Sequence, residues 1–558
     1  MKRQSLIIPI IVGIISLLIV GTNAYGWVSV HRSIRLVVGV ASPAENRNLP
    51  QPPASAIFVP KNSPAAVSLI ANVDELADLN SLATPTAKQN AARQAIRKWQ
   101  QQLGDRLHLN YRREIAPWLG EEITVAITDI DLDRLSQNGS QPGYLAVLSS
   151  RNPEASNQIV QAWWDRQIAD NRLKIETYQG VKLADNRREK IASAIVNDRY
   201  VLFANHPKVL RAAIDNLQPP RLSLLDNPDY QQVVAANSHH KVGIGYARIP
   251  ELKHWLGKEA GEKYPVAGIN IGVDRQGLIA DLSLYPTTPD PIAVEPSSIP
   301  TPPKLVNTLN YLPPQSTIAI AGTDLAHWQQ QLVTILPEIK SLVPTLDRTI
   351  AAISTQLGID LAQNILSWTT GEYAIAAIPN PTQTTTDWMF IAERTQPERV
   401  DEAIGYFDRL ASLAGYNVGI LPWSEKQVIG WTKLVTETSP NTARLVAEVA
   451  GVHTNIDDKY TIFASSVAAM DATLKAVDEQ SILASDRYAR GTDLLTATET
   501  GYLYSDWETI KLLLPKHLQE QPLVKSFSDG IFAGLPNISL SRYVEAGIQR
   551  ITLLFQVK

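Results

Sequence analysis

Alternating apolar and polar residues mark a series of short strands along the chain. In the first half they predict strands at residues 65–71, 123–130, 144–149, 174–178, 181–184, 191–196, 200–204, 242–247, 269–273 and 278–285. Turn-forming residues such as Asn197-Asp198 join several of these segments. Because strands that follow one another through short turns pair antiparallel, we expect a mainly antiparallel sheet.

Helical segments are interleaved with these strands. The first half predicts helices at residues 88–103, at 153–168 with Pro153 in the first turn, and at 206–217. The second half predicts helices at 397–413 and 467–477, and strands at 318–321, 374–378, 388–392, 460–464, 501–504, 538–540 and 548–555. The pattern is therefore that of an α+β protein, with helices packed on antiparallel sheets.

The second half of the chain repeats the first in the same order of segments. Residues 194–215 are matched by residues 452–478, and residues 63–70 by residues 314–320. A repeat of this length predicts two tandem, mutually similar domains, and a pseudo-two-fold axis between them is one arrangement that fits. We place them at residues 64–285 and 314–558, separated by a proline-rich linker at 286–313.

The N-terminal segment predicts a membrane anchor. A basic start at residues 1–4 is followed by an uncharged stretch at 5–30, which is long enough to cross a bilayer as a helix, and then by a proline-rich spacer at 31–63. A cleaved signal peptide ending near Ala24 is the alternative. Lys2 and Arg3 favour a cytoplasmic N-terminus, with the bulk of the chain in the periplasm or thylakoid lumen; the cytoplasmic face of the membrane is the other possibility.

Composition narrows the classes of function. The 558 residues carry a net charge of −4 and form no basic stripe with interleaved aromatic residues, which argues against a nucleic-acid partner. The chain contains no cysteine, so it has no disulfides, thiol nucleophiles or cysteine metal ligands. The sequence contains none of the common nucleophile, phosphate-binding or zinc motifs.

One short motif occurs in both halves, just before a strand. In the first half it comprises Trp118, Gly120 and Glu121. In the second half the corresponding residues are Trp368, Gly371 and Glu372. The favoured interpretation is structural: the tryptophan fills the core, the glycine adopts a positive φ, and the glutamate accepts hydrogen bonds from backbone amides. A catalytic carboxylate is the alternative, and in the first half the neighbouring Glu122 could be the relevant acid.

Three other groups of residues invite a functional interpretation. Trp163 and Trp164 are adjacent on a predicted helix, so one ring should face the core and the other should be exposed as a contact surface. The acids at 129, 131 and 133 alternate as in a calcium loop, but the sixth and twelfth positions hold Arg134 and Ser140. His239 and His240 are adjacent and have no further ligand at metal-site spacing, so a solvated loop is the favoured interpretation over a metal site.

The chain resembles a family of uncharacterised bacterial proteins, frequent in cyanobacteria, called domain of unknown function 3352. The resemblance rests on the apolar N-terminus, the proline-rich spacer, residues 63–76 (SPAAVSLIANVDEL), and the Gly120-Glu121 and Gly371-Glu372 turns. It covers most of the chain beyond about residue 48. It implies a membrane-anchored envelope or thylakoid-associated protein and carries over no catalytic residue.

These features lead us to expect a non-enzymatic binding or scaffold protein without a cofactor or a bound metal. It would be attached to a membrane by its N-terminal helix and would hold a protein partner; bivalent binding through the two domains is one form of this. Two alternatives stay open. One is a carrier of lipid or another apolar ligand, which requires an apolar pocket of about 300 Å³ or more. The other is a hydrolase that uses carboxylates such as Glu121 or Glu372.

Overall fold

The computed structural model describes most of the chain beyond the spacer. The described residues are 52–70, 109–135, 139–169, 173–218, 222–236, 241–252, 264–273, 277–287, 306–325, 365, 367–380, 386–423, 426–439, 442–493, 495, 502–506, 537–545 and 547–556. The predicted anchor at residues 5–30, the predicted helix at 88–103 and the histidines at 239–240 lie outside them.

Twenty strands form the framework. The first half contributes β1 (Ala65–Ile70), β2 (Leu119–Asp129), β3 (Gly143–Ser150), β4 (Lys174–Tyr178), β5 (Val181–Asn186), β6 (Ile191–Val196), β7 (Tyr200–Ala204), β8 (Lys241–Arg248), β9 (Val266–Val273) and β10 (Gly277–Tyr285). The second half contributes β11 (Ile318–Thr323), β12 (Glu372–Pro379), β13 (Thr386–Glu393), β14 (Asn417–Trp423), β15 (Lys426–Ser439), β16 (Thr442–Ile456), β17 (Tyr460–Ala464), β18 (Tyr502–Asp506), β19 (Asn537–Glu545) and β20 (Ile548–Gln556).

The two halves have the same topology. From the centre outward the first half runs β10-β9-β8-β1-β2-β3-β7-β6-β5-β4, and every neighbouring pair is antiparallel. The second half runs β20-β19-β18-β11-β12-β13-β17-β16-β15-β14, again with every pair antiparallel. Each strand of one half thus has a counterpart ten strands later in the other.

A single strand pair joins the halves. β10 pairs antiparallel with β20 over the register Gly277↔Gln556 to Leu284↔Gln549. All twenty strands therefore belong to one sheet, whose outer strands are β4 and β14. At about 4.8 Å per strand, this sheet extends about 90 Å from edge to edge. The pseudo-two-fold axis runs through the β10–β20 pair, perpendicular to the sheet.

This arrangement corrects the fold class expected from the sequence. We expected an N-terminal transmembrane helix followed by two tandem domains, each with a sheet of its own, and found one continuous antiparallel sheet. The physical reason is that β10 and β20 would each be an unpaired edge strand if the halves were separate, and pairing removes both edges. No helix in the described part of the chain is both long and apolar enough to cross a membrane.

Helices cover both faces of the sheet. Those in the described ranges are α1 (Pro153–Ala169), α2 (Pro207–Asp215), α3 (Pro228–Ala235), α4 (Pro397–Leu413), α5 (Val467–Asp478) and α6 (Asp486–Thr492). One face carries α2 and α3 over the first half and α5 and α6 over the second, while α1 and α4 pack on the opposite face. Short 3-10 turns, Ala54–Phe58 and Asn307–Tyr311, precede β1 and β11.

The same local signals produce equivalent elements in both halves. Asn197 and Asp198 have φ values of 52° and 54° between β6 and β7, and Asp457 and Asp458 have values of 51° and 52° between β16 and β17. Two successive residues with positive φ form the turn type that best fits the twist of a hairpin, and Asn and Asp tolerate it. The turn predicted at 197–198 is confirmed.

Candidate functional site

The carboxylates of the repeated motif cap short helices. Glu122, at the start of β2, accepts hydrogen bonds from the amides of Ala54 and Ser55 at 3.2 and 2.9 Å. Glu372, at the start of β12, accepts from the amides of Asn307 and Thr308 at 2.7 and 3.3 Å. These amides begin the 3-10 turns Ala54–Phe58 and Asn307–Tyr311, where backbone N–H groups lack partners within the turn.

The acid equivalent to Glu372 is therefore Glu122, and the match with Glu121 is wrong. The pairing of β2 with β3 is irregular between Leu119 and Ile123, which inserts extra residues before the cap. Glu121 is exposed, whereas Glu122 is partly buried beneath the 3-10 turn. The adjacent glutamates hid this offset, because Glu121 directly follows Gly120 just as Glu372 directly follows Gly371.

Glu372 has further partners on its carboxylate. The Asn307 side chain donates to it at 2.9 Å, and the Tyr460 hydroxyl donates at 3.4 Å. Burial, followed by the charge of Glu372, raises the pKa of the Tyr460 phenol, which therefore stays protonated as a donor. A second acid lies close by, since Glu393 accepts a hydrogen bond from the Glu372 amide at 3.0 Å. Because four donors converge on Glu372, its role is that of a structural acceptor.

The glycines of the motif are required for a close approach rather than for a turn. Neither Gly120 nor Gly371 has a positive φ, which corrects the expected reason for their presence. A Cβ atom on Gly120 would lie 2.5 Å from the Ser149 hydroxyl, and one on Gly371 would lie 2.5 Å from Thr395 and 2.6 Å from the Glu393 carboxylate. The Ser149 hydroxyl accepts from the Glu122 amide at 2.9 Å, so the neighbouring strand must come this near.

We expect Glu372→Ala to lower the free energy of unfolding by about 1–3 kcal/mol, because two buried amides of the 3-10 turn lose their acceptor. Glu121→Ala is the matched control and should change it by less than about 0.5 kcal/mol, since the side chain is exposed. Urea titrations of both variants measure the difference. Equal effects at the two positions would contradict the assignment of the cap.

The tryptophans of both sequence motifs are buried. Trp118 is fully enclosed and donates its indole N–H to the Glu114 carbonyl at 2.6 Å, and Trp368 packs edge to face with Phe390. Trp163 and Trp164 are both buried as well, so neither provides the exposed contact surface that we expected. Trp163 packs against Phe203, and Trp164 donates to the Ser193 hydroxyl at 2.8 Å. The α1 helix lies flat enough on the sheet to bury both rings.

The acids of the calcium-like sequence bind backbone amides. Asp129 accepts from the amide of Asp131 at 2.9 Å, and Asp131 accepts from the amide of Gln141 at 3.1 Å. Asp133 accepts from the amide of Leu135 at 3.0 Å. These bonds organise the β2–β3 connection, which is the role that Asp commonly has in turns. Within the described ranges, no group of three or more His, Cys, Asp or Glu side chains is placed to hold a metal ion.

One buried titratable pair was not foreseen from the sequence. His453 on β16 contacts Asp408 on α4, with 3.0 Å between Nε2 and the carboxylate, and the Trp431 indole donates to the same oxygen at 2.8 Å. The first half holds Trp164 and Ser193 at this place. Trp164 is equivalent to Asp408, because each is the twelfth residue of its helix. Ser193 is equivalent to His453, because the two residues pair with Phe203 and Phe463 at the same position of the next strand. Aligning the halves through these pairs would have revealed the substitution.

Burial lowers the pKa of His453 despite the opposing effect of Asp408. In the unfolded chain this histidine takes up a proton below about pH 6.5. The unfolded state then binds more protons than the folded state, so stability should fall as the pH drops through this region. We expect His453→Gln to flatten the stability profile between about pH 5 and pH 7. Urea unfolding at several pH values measures this, and an unchanged slope would contradict it.

An open depression lies beside α5. It has a volume of about 560 Å³ and is lined by residues that include Asp471, Lys475 and Glu479. Lys475 and Asp471 form an ion pair of 2.8 Å across its wall. This charged lining differs from the apolar pocket that a lipid carrier requires.

Four large apolar side chains are exposed at one end of the molecule. Leu413 at the end of α4 is 85% exposed, Ile420 on β14 is 63% exposed, and Leu434 and Leu445 on β15 and β16 are each 69% exposed. All four belong to the outer end of the second half. Sequence analysis missed this region, although the Ser439-Pro440-Asn441 turn signal lies between two apolar stretches.

Comparison with known proteins gives the family and no activity. Neither the curated proteins nor the solved structures contain a match to this chain. A family model does match, and it covers residues 10–557, nearly the whole chain. The resemblance drawn from the sequence motifs is thereby confirmed. The chain belongs to the family described as "Protein of unknown function (DUF3352)".

Proposed function

We propose that this protein is a non-enzymatic binding or scaffold protein whose partner contacts the outer end of the second half. The observation that carries the proposal is that Leu413 and Ile420, on the side of the sheet covered by α4, are each more than half exposed; the exposed Leu434 and Leu445 lie on the opposite side. Large apolar side chains that cluster on a surface mark interaction sites, whereas scattered ones do not. The first half has no comparable group among its described residues; its most exposed large apolar side chain is Leu135.

The motif that suggested a catalytic acid supports the same proposal. Glu122 and Glu372 occupy equivalent places in both halves, and both bind the amides of a 3-10 turn. A carboxylate that accepts several backbone hydrogen bonds is a structural element, and its oxygens are turned away from solvent. This favours a binding protein over the hydrolase alternative.

The continuous sheet suits a platform. Antiparallel pairing across β10 and β20 joins the halves into one sheet that is about 90 Å wide when the strand spacings are added along it. A partner bound at the outer end of the second half is then separated from the far edge at β4 by the width of the sheet. Membrane attachment, and a location in the periplasm, the thylakoid lumen or on the cytoplasmic side, stay predictions from the sequence.

The experiment is crosslinking in the native cells followed by purification of the full chain and mass spectrometry of proteins and lipids. We compare the natural protein with the Leu413→Glu/Ile420→Glu variant and with Leu135→Glu, a matched change of an exposed leucine in the first half. We expect one protein to be recovered with the natural chain and with Leu135→Glu, and at least about tenfold less of it with the double variant.

Two results would contradict this proposal. Equal recovery of the partner with all three chains would show that the outer end is not the contact. Recovery of stoichiometric lipid without a protein partner would favour the carrier of an apolar ligand instead.

A further inference from the structure

A two-stranded ribbon projects from the outer end of the second half. β14 pairs with β15 only as far as Thr432, and β17 pairs with β16 only as far as Val452. Beyond these points, residues 433–439 and 442–448 pair with each other alone. We call this segment the ribbon.

The ribbon distinguishes the second half from the first. The counterpart strands β5 and β6 have six residues each, whereas β15 and β16 have 14 and 15. The extra eight or so residues extend the hairpin by about 25 Å. An isolated two-stranded hairpin is only marginally stable in water, because it has no layer on which to bury its apolar side chains. The ribbon therefore gains stability from any layer that packs on it.

One face of the ribbon carries two large and two small side chains in a regular arrangement. Leu434 lies directly opposite Ala447, and Thr436 lies directly opposite Leu445. Directly paired residues, and residues two apart on one strand, share a face, so these four side chains form the corners of one patch. The two leucines occupy one diagonal of the patch, and alanine and threonine occupy the other.

This arrangement is self-complementary. Suppose that a second patch is placed face to face with the first by a two-fold axis that lies between the patches and runs along or across the strands. The diagonal with the two leucines in one copy then lies above the diagonal with alanine and threonine in the other. Leu434 and Leu445 of each copy then stand above Ala447 and Thr436 of the other. Large side chains thus enter the spaces left by small ones on both sides, as an isologous two-fold interface requires.

We propose that the ribbon pairs with the ribbon of a second copy of this chain, face to face about a two-fold axis. The proposal concerns self-association through Leu434 and Leu445 and does not depend on the partner proposed above, which contacts Leu413 and Ile420 on the opposite side of the sheet. A different protein would need a matching pattern of its own, whereas the second copy already has it. Two leucines, each 69% exposed, are buried from each copy.

The area of the ribbon sets the strength of this association. Two strands about 10 Å wide and about 25 Å long present roughly 250 Å² of face per copy. That is below the area of a standard stable interface, about 800 Å² per partner, so the dimer should be weak and should form in a concentration-dependent manner. We expect a Kd in the range of about 1–100 μM.

Sedimentation velocity of the full chain, between about 1 and 200 μM, tests the proposal. The natural protein should shift from monomer to dimer, and Leu434→Glu/Leu445→Glu should raise the Kd at least about thirtyfold, because four carboxylates would face one another in the dimer. The matched control is Leu135→Glu/Leu222→Glu, which changes two exposed leucines of the first half and should leave the Kd unchanged. Near-ultraviolet circular dichroism verifies that each variant is folded.

A natural protein that stays monomeric over this range, or a dimer that the ribbon variant does not weaken, would overturn the proposal. A second measurement uses the absence of natural cysteine. With Thr436→Cys as the single cysteine, a bismaleimide reagent that spans about 10 Å, the usual spacing of packed sheets, should link two chains covalently. Leu222→Cys should give no such product, and equal products from both variants would also overturn the proposal.

Discussion

Replacement of Trp118 by alanine is expected to lower the free energy of unfolding by about 3–5 kcal/mol, because it leaves a large cavity in a closed core. Trp118 is fully buried on the face of the sheet covered by α1, together with Leu119, Val160 and Trp163. The change also removes the donor to the Glu114 carbonyl. Urea unfolding followed by circular dichroism measures the loss.

Trp388→Ala is the matched control for this prediction. Trp388 lies on β13 and is 37% exposed, so its removal leaves no closed cavity. We expect it to cost less than half as much as Trp118→Ala. If the two variants lost the same stability, or if Trp118→Ala unfolded like the natural protein, the motif tryptophan would not be the core element that we describe.

Ile279→Ala should destabilise both halves together, by about 2–5 kcal/mol. Ile279 belongs to β10 of the first half, yet it packs in the core of the second half with Leu554. The reverse holds for β20, whose Ile548 and Phe555 pack against cores of the first half. Because each half completes the core of the other, we expect a single cooperative transition that moves as a whole to lower urea concentration.

Ile420→Ala supplies the control for Ile279→Ala, since the same residue type is 63% exposed on the edge strand β14. Its effect should stay within about 0.5 kcal/mol. Two separate transitions, of which Ile279→Ala shifts only one, would mean that the halves fold as independent domains. Differential scanning calorimetry of the full chain distinguishes one transition from two.

The local elements were largely predictable from the sequence. The strands at 174–178, 191–196 and 200–204 and the helix at 397–413 have the predicted bounds. These segments combine clear periodicity with explicit boundaries, such as the Asn197-Asp198 turn and Pro397 in the first turn of α4. Where both signals act on the same few residues, local physics is sufficient to place an element.

The joining of the halves was not predictable in the same way. β10 was correctly expected as a strand, but its periodicity says nothing about which strand lies beside it. Its partner β20 follows about 270 residues later, and the two pair because each would otherwise be an exposed edge. The proline-rich linker at 286–313 suggested separate domains, whereas β10, which precedes it, pairs with the C-terminal strand β20 and brings the halves into one sheet.

The candidate site was predictable only in part. The motif was found because it recurs, and the structural interpretation of its tryptophan and glutamate agrees with the geometry at Trp118 and Glu372. The irregular pairing of β2 concealed that Glu122, and not Glu121, makes the cap. The ribbon was missed because it is an insertion without a counterpart in the first half, and the pair formed by His453 and Asp408 was missed because the halves were not aligned residue by residue at Ser193 and Trp164.

The most direct test of the continuous sheet is a disulfide across the β10–β20 pair. Asp281 and Thr552 are directly opposite, and the threonine hydroxyl donates to the carboxylate at 2.8 Å. Since the chain has no natural cysteine, Asp281→Cys/Thr552→Cys should oxidise within one chain. The control is Asp281→Cys/Ser541→Cys, whose two cysteines lie on strands separated by β20. They are therefore about 10 Å apart and should stay reduced. Failure of the first pair to close, under conditions that leave the protein folded, would contradict the single sheet.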